Sequence, residues 1–331
     1  MGLGQKGNKL GVVTVQQIYR DHKESLLLEL LVGLPDEAVP VVASDVHRPG
    51  MALMGYAENV LTNRIQVLGE SEMAYLNTLS ADDQCAALER VLGLDPPVIV
   101  VAKDQTVPEP IINLAQARNF PLIRTALPAV EFMAEVTHHL ENAFAPRSEV
   151  HGTLVDVYGV GLLFTGRSGI GKSECALDLI ERGHRLVADD IVELTRTGED
   201  VLIGRYRALL RHHLEIRGVG VVDVQALFGI RAIRIQKRVE VEVQLQDWDD
   251  AVDYERMGLE NRYAEILGVN IPQVAVPLIP GKNITVICEV IALNFMLKVY
   301  GYDAAEVLNE RILKKMRSSN RLQDYLDDDR E

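Results

Sequence analysis

Two rhythms of apolar residues run through the chain. Short, almost wholly apolar stretches of strand length alternate with stretches in which apolar side chains return every three or four positions, as on one face of a helix. In the first half, residues 12–19 read as an early helix start and 26–32 as a strand, and 39–44 is a further extended run. Residues 64–67 lead through Gly69 into a helical pattern over 70–79, and Pro96 and Pro97 open an apolar strand at 98–102. A helix over 110–118, a strand at 122–125 and a long helix over 128–144 follow. This alternation predicts a compact parallel or mixed sheet covered by helices.

Pro146 just past the long helix marks a natural linker, which predicts domains at 1–146 and 147–317, with an acidic, frayed tail at 318–331. In the second domain, residues 149–157 alternate like one half-buried strand and are expected to pair with the apolar run 160–165. A helix over 174–182, stopped by Gly183, comes next, then strands at 186–188, 219–222, 239–245 and 284–288. Helices over 289–300 and 304–315 close the pattern. The fold class is α/β.

Between the strand 160–165 and the helix 174–182 lie Gly166, Arg167, Ser168, Gly169, Ile170, Gly171, Lys172 and Ser173, a complete G-x-x-x-x-G-K-[ST] motif. Glycines allow backbone N–H groups to turn inward around an anion, Lys172 is placed to reach the β- and γ-phosphates, and the Ser173 hydroxyl to hold Mg²⁺. The strand–loop–helix context is the one that a nucleotide-phosphate cradle requires.

Composition narrows the partners. Among 331 residues, 47% hydrophobic, the formal net charge is −14, which argues against nucleic acid or an anionic membrane as the main partner. Three cysteines, Cys85, Cys175 and Cys288, lie far apart in sequence without metal-ligand spacing and read as reduced thiols. No stretch reaches the length of a membrane span and the first ten residues lack the apolar core of a signal peptide, so a cytoplasmic location is expected.

Further residues carry possible chemistry. Asp189 and Asp190 end the strand after the phosphate loop, where acids face bound ligands in open α/β sheets and can bind metal, position water or accept a proton; a helix cap would use the same pair. Residues 214–223, LEIRGVGVVD, suggest a tight loop with Glu215 as an oxygen ligand for Mg²⁺ and Arg217 as a charge neutraliser, although a turn beside a surface ion pair reads alike. Pro277, Leu278, Ile279, Pro280, Gly281 and Lys282 form a stiff loop with one cation, either a phosphate clamp or a surface turn. His151 stands on an alternating strand, where packing and catalysis are both open, and the pairs His138–His139 and His212–His213 read as solvated.

Taken in order, GRSGIGKS, His151, Asp189–Asp190, LEIRGVGVVDV and PLIPGKN resemble the HPr kinase/phosphorylase family, and HRPGMALMGY with RIQVLG extends the resemblance into the first half. The resemblance implies an N-terminal α/β domain plus a C-terminal P-loop kinase domain. It implies ATP-dependent phosphorylation of a serine in HPr, the small phosphocarrier of the sugar phosphotransferase system, and its reversal by phosphorolysis with inorganic phosphate. It further implies a cytoplasmic homohexamer using ATP and Mg²⁺. Carried over by position, His151, Lys172, Asp190 and Arg256 are catalytic positions, residues 166–173 bind ATP, and Ser173 and Glu215 hold Mg²⁺. Pro277 to Lys282 match a loop associated with dephosphorylation, with Lys282 standing where the family usually has arginine. Two other readings compete: a P-loop kinase acting on another substrate, and a non-enzymatic nucleotide-sensing regulator. A GTPase is disfavoured, since no Asn-Lys-x-Asp guanine reader occurs.

Overall fold

The computed structural model describes residues 13–56, 61–207, 211–249, 262–279 and 281–328, with side chains described as far as residue 316. The chain parts into two compact units between Ala145 and Pro146.

The first unit contains β1 (Val13–Thr14), α1 (Val15–His22), β2 (Leu28–Val32), β3 (Pro40–Val41), β4 (Val46–His47), α2 (Gly50–Leu53) and β5 (Ile65–Leu68). It continues with α3 (Glu70–Asn77), α4 (Ala81–Leu92), β6 (Ile99–Val101), α5 (Glu109–Ala117), β7 (Leu122–Thr125) and α6 (Ala129–Phe144). Its five-stranded sheet runs β2-β7-β6-β5-β4, parallel from β4 to β7 and antiparallel at β2, so it is mixed. β5 and β6 are buried along their whole length, as in a sheet covered on both faces. Leu53, Met73, Leu88 and Ile111 join the core on one face, while Val15, Phe132, Val136 and Leu140 join that on the other. The sequence pattern passes over α4, whose start is polar; Ser80 caps it by accepting from Asp83 N at 3.3 Å.

The second unit contains β8 (Arg147–His151), β9 (Thr153–Val157), β10 (Val160–Thr165), α7 (Lys172–Glu181), β11 (Arg185–Ala188), β12 (Ile191–Thr197), β13 (Val201–Tyr206), β14 (His213–Ile216) and β15 (Gly220–Asp223). There follow α8 (Val224–Phe228), β16 (Gln236–Arg238), β17 (Val241–Asp247), β18 (Arg262–Ile266), β19 (Val269–Leu278), α9 (Ile284–Val299) and α10 (Ala304–Asp328). Its main sheet runs β11-β9-β10-β17-β19-β18, parallel across β10-β17-β19 and antiparallel elsewhere. A second sheet, β16-β13-β12-β8, is antiparallel throughout. α7 and α9 cover the main sheet, with Leu179, Cys288 and Ala292 packed against Leu162, Phe164 and Val243.

Four expectations need correction. The single strand expected over 149–157 is two strands in different sheets, since the chain crosses over at Gly152, where a Cβ would lie 2.5 Å from the Phe164 carbonyl oxygen. Residues 284–288 are the start of α9, not a strand. The β-branched run there imitates a strand, but Asn283 caps a helix by accepting from Val286 N at 3.2 Å. His212 is buried rather than solvated: it bonds Gln225 at 2.8 Å and meets the Tyr206 ring edge-on. α10, for its part, continues through Asp328, beyond the stop expected at 315 and into the segment read as a frayed tail.

Candidate active site

The phosphate loop leaves β10 after Thr165 and enters α7 at Lys172. Thr165 is buried and donates its hydroxyl to Glu242 at 2.6 Å, which fixes the entry of the loop against β17. Ile170 is the loop's anchor in the apolar core. Gly169 has a φ of 74°, and a Cβ there would lie 2.1 to 2.3 Å from the Arg217 guanidinium, so glycine is needed both for the backbone and for that close approach. Gly171, with φ 110°, caps α7, leaving backbone N–H groups at the helix start turned toward the loop's interior.

Lys172 is 7% exposed and donates to the carbonyl oxygens of Gly166 and Arg167, each at 3.2 Å. Burial pushes its ammonium pKa down, while the Asp189 and Asp190 carboxylates pull it back up. The Ser173 hydroxyl lies 3.0 Å from both oxygens of Asp189. Asp189 is buried and also accepts from the Thr153 hydroxyl at 2.6 Å and from Glu215 N at 3.3 Å. Burial raises its pKa above the usual carboxylate value, against the hydrogen bonds, which lower it.

Asp190 differs from its neighbour. Its backbone has φ 66° and its side chain is 48% exposed, with Oδ1 at 3.1 Å from His151 Nδ1. The Gly152 N–H donates to the Asp190 carbonyl at 3.0 Å, and His151 pairs in register with Ile191 across β8 and β12, so the crossover at Gly152 and the turn at Asp190 are built on one another. This left-handed turn aims the two acids differently: Asp189 inward to the loop serine, Asp190 outward to His151.

His151, Lys172, Ser173, Asp190 and Glu215 line one cleft, to which Ser168, Gly169, Gly171, Glu174, Asp189 and Arg217 also contribute. Eight of the expected site positions, His151, Ser168, Gly169, Gly171, Lys172, Ser173, Asp190 and Glu215, thus come together from β8, the phosphate loop, the β11–β12 turn and the β14–β15 hairpin. Arg167 instead forms a bidentate pair with Asp247 on β17, at 2.6 and 2.7 Å, at the exposed side of the loop. Pro277 and Leu278 belong to β19 and pair with Gln246 and Asp247, whereas Gly281 and Lys282 follow in an exposed turn; none of these lines the cleft among the described residues. Arg256 and Pro280 lie outside the described residues.

Among the described residues no cluster of three or more His, Cys, Asp or Glu could hold an ion by itself. One hydroxyl and nearby carboxylates do fit the small, hard cation that travels with a nucleotide, which takes most of its ligands from phosphates and water. The sequence reading missed Thr153 and Glu242, both hydroxyl–carboxylate partners buried in strands. The only signal for either was a polar residue inside an otherwise apolar run.

The comparisons with known proteins cover both units. Residues 13–140 match the family described as HPr Serine kinase N terminus, and residues 142–312 match that described as HPr Serine kinase C-terminal domain. An HPr kinase/phosphorylase of Chloroherpeton thalassium is 44% identical over 318 residues, covering 96% of this chain and 94% of the relative. An HPr kinase/phosphorylase of Geobacillus kaustophilus is 41% identical over 293 residues, covering 88% of this chain and 94% of the relative. The solved Hpr(Ser) kinase/phosphatase from Coxiella burnetii is 34% identical and covers 49% of this chain and 98% of its own, with a TM-score of 0.43. With both units matched and relatives above 40% identity over nearly the whole length, the chain belongs to the HPr kinase/phosphorylase family of enzymes.

Proposed function

We propose that the cleft transfers the γ-phosphoryl group of ATP to one serine of HPr and, in the opposite direction, moves that group from the serine to inorganic phosphate. The observation that carries this reading is the meeting of Asp190, His151, Lys172 and Ser173 in one cleft. In the kinase direction Asp190 accepts the seryl proton and His151, 3.1 Å away, holds the carboxylate in place. Lys172 moves from the loop carbonyls to the β- and γ-phosphates, and the backbone N–H groups of the loop cradle them. Ser173 and Glu215 would hold Mg²⁺, which when bound neutralises charge on the phosphates. In the phosphorylase direction the same carboxylate takes a proton from inorganic phosphate, whose oxygen attacks the seryl phosphorus. The bond to the serine oxygen breaks, the proton passes to that oxygen, and pyrophosphate leaves.

Arg256 and the segment from Pro277 to Lys282 are assigned on resemblance alone, as a further catalytic position and as a dephosphorylation loop. A homohexamer is part of the same reading, supported by the apolar face that Val286, Val290, Leu293 and Leu297 of α9 leave exposed. So is a cytoplasmic location; among the described residues no single helix is long and apolar enough to cross a membrane.

Asp190→Asn tests the assignment. Removing a positioned base lowers a transfer rate by roughly 10²- to 10⁴-fold. The variant is expected to lose phosphorylation of HPr to that extent while binding ATP nearly as well as wild type. Undiminished transfer would remove Asp190 from the mechanism, and a parallel loss of ATP binding would recast it as a binding residue.

A further inference from the structure

Thr153 opens β9 and is fully buried, at 0% exposure, under the turn that carries the two acids. Its Oγ1 donates to Asp189 Oδ1 at 2.6 Å. Asp189 is in turn the acceptor toward which the Ser173 hydroxyl points, 3.0 Å from either carboxylate oxygen. The three side chains thus form a relay from a buried sheet strand to the half-buried serine of the phosphate loop.

The relay has a chemical consequence that rests on the assignment of the cation to Ser173 above. A hydroxyl that binds a cation through its oxygen must send its proton to another acceptor, and the carboxylate of Asp189 takes that proton's hydrogen bond. A carboxylate free to rotate about its last bond would offer Ser173 a shifting acceptor. The Thr153 hydroxyl, fixed by a β-branched side chain with little rotational freedom, removes that motion. The Glu215 N–H, 3.3 Å from Asp189 Oδ2, ties the same carboxylate to the hairpin that carries the other proposed cation ligand.

We propose that Thr153 is a positioning residue for the nucleotide-bound cation: by holding Asp189 it keeps the Ser173 oxygen turned toward the ion and so raises the cation affinity of the site. Thr153 touches neither nucleotide nor cation. Its effect is expected on cation binding and on the cation concentration that half-saturates the reaction, and much less on nucleotide binding without a cation.

The test measures Mn²⁺ binding by electron paramagnetic resonance in the presence of a non-hydrolysable ATP analogue. Replacing an outer partner of a metal ligand typically weakens metal binding by about 10- to 100-fold. Thr153→Val, which keeps the shape and removes the hydroxyl, should weaken Mn²⁺ binding by about tenfold, whereas Thr153→Ser should stay near wild type. Binding of the analogue in EDTA should be unchanged in both. Wild-type Mn²⁺ affinity in Thr153→Val overturns the proposal, as does an equal loss of analogue binding in EDTA, which would mark a merely structural role. Should Thr153→Val not fold, Thr153→Ala against Thr153→Ser isolates the same hydroxyl, and equal affinities in those two overturn it. Ser173→Ala separates this claim from its parent. Wild-type Mn²⁺ binding in Ser173→Ala would remove the cation from Ser173 and this role with it, while a loss there without a loss in Thr153→Val overturns the role of Thr153 alone.

Discussion

Glu289→Gln removes a charge from the place where α9 is tied to the end of α7. Glu289 accepts from Arg182 Nε at 2.9 Å and Nη2 at 2.6 Å, and lies 3.1 Å from His184 Nε2. The Arg182 guanidinium, with His184 beside it, holds the Glu289 carboxyl down at about 2, from an ordinary value of 4.5. At about 1.36 kcal/mol per pH unit that displacement sets a ceiling of about 3 kcal/mol on what ionised Glu289 contributes to folding. The Arg182 side chain is 45% exposed, so solvent screens the pair, and about 1–2 kcal/mol is the expected contribution. The sign follows from the depressed pKa: the stabilisation is present in full above 4.5 and is lost as pH falls from there through about 2. The chain's one tryptophan, Trp248, lies in the same unit, so its fluorescence reports urea unfolding there. Wild type should exceed Glu289→Gln by that amount at pH 7 and pH 5, with the gap closing steadily below. Equal stabilities at pH 7, or a gap that persists undiminished near pH 2, would refute the reasoning.

Other perturbations have equally definite outcomes. Gly152→Ala brings a Cβ to 2.5 Å from a main-chain oxygen, so thermal denaturation should show a loss of about 1–3 kcal/mol, with phosphotransfer reduced because His151 and Thr153 flank the crossover. Cys175 and Cys288 are buried, their sulfurs 3.9 Å apart, and the contact with Cys175 together with burial pushes the Cys288 thiol pKa up. A thiol-reactive disulfide dye should therefore label only the half-buried Cys85 in the native protein and all three cysteines after unfolding, and rapid native labelling of Cys288 would contradict this. Lys282→Arg should raise the phosphorylase rate relative to the kinase rate, because a guanidinium grips phosphate through two parallel bonds and an ammonium does not. Identical phosphorylase rates would sink that expectation.

How much of this was legible in the residues depends on how local each feature is. The phosphate loop is contiguous, and its strand and helix flank it directly, so eight letters and their surroundings identify it. Asp189 and Asp190 read as a pair, and only the family resemblance tells them apart. Their separation into an inward and an outward acid comes from a left-handed turn at Asp190 and from pairing with β8, a partner nearly forty residues away. Thr153 was hidden for a related reason: a threonine in an apolar run reads as an ordinary strand former, and its meaning depends on a carboxylate brought to it by the sheet. Residues 284–288 misled because β-branched residues favour strands locally, while the Asn283 cap and the apolar groove over β10 and β17 favour a helix. Gly152 concealed a sheet crossing, since a glycine in an alternating strand looks like a small defect.

The central claim is phosphoryl transfer from ATP to one serine of HPr through this cleft, and from that serine to inorganic phosphate, and one two-stage labelling measurement tests it most directly. HPr incubated with the protein, Mg²⁺ and γ-labelled ATP should acquire label on a single serine. Addition of excess inorganic phosphate, with ATP removed, should then release that label as pyrophosphate. The absence of label from HPr, or its release only as inorganic phosphate, would contradict the account.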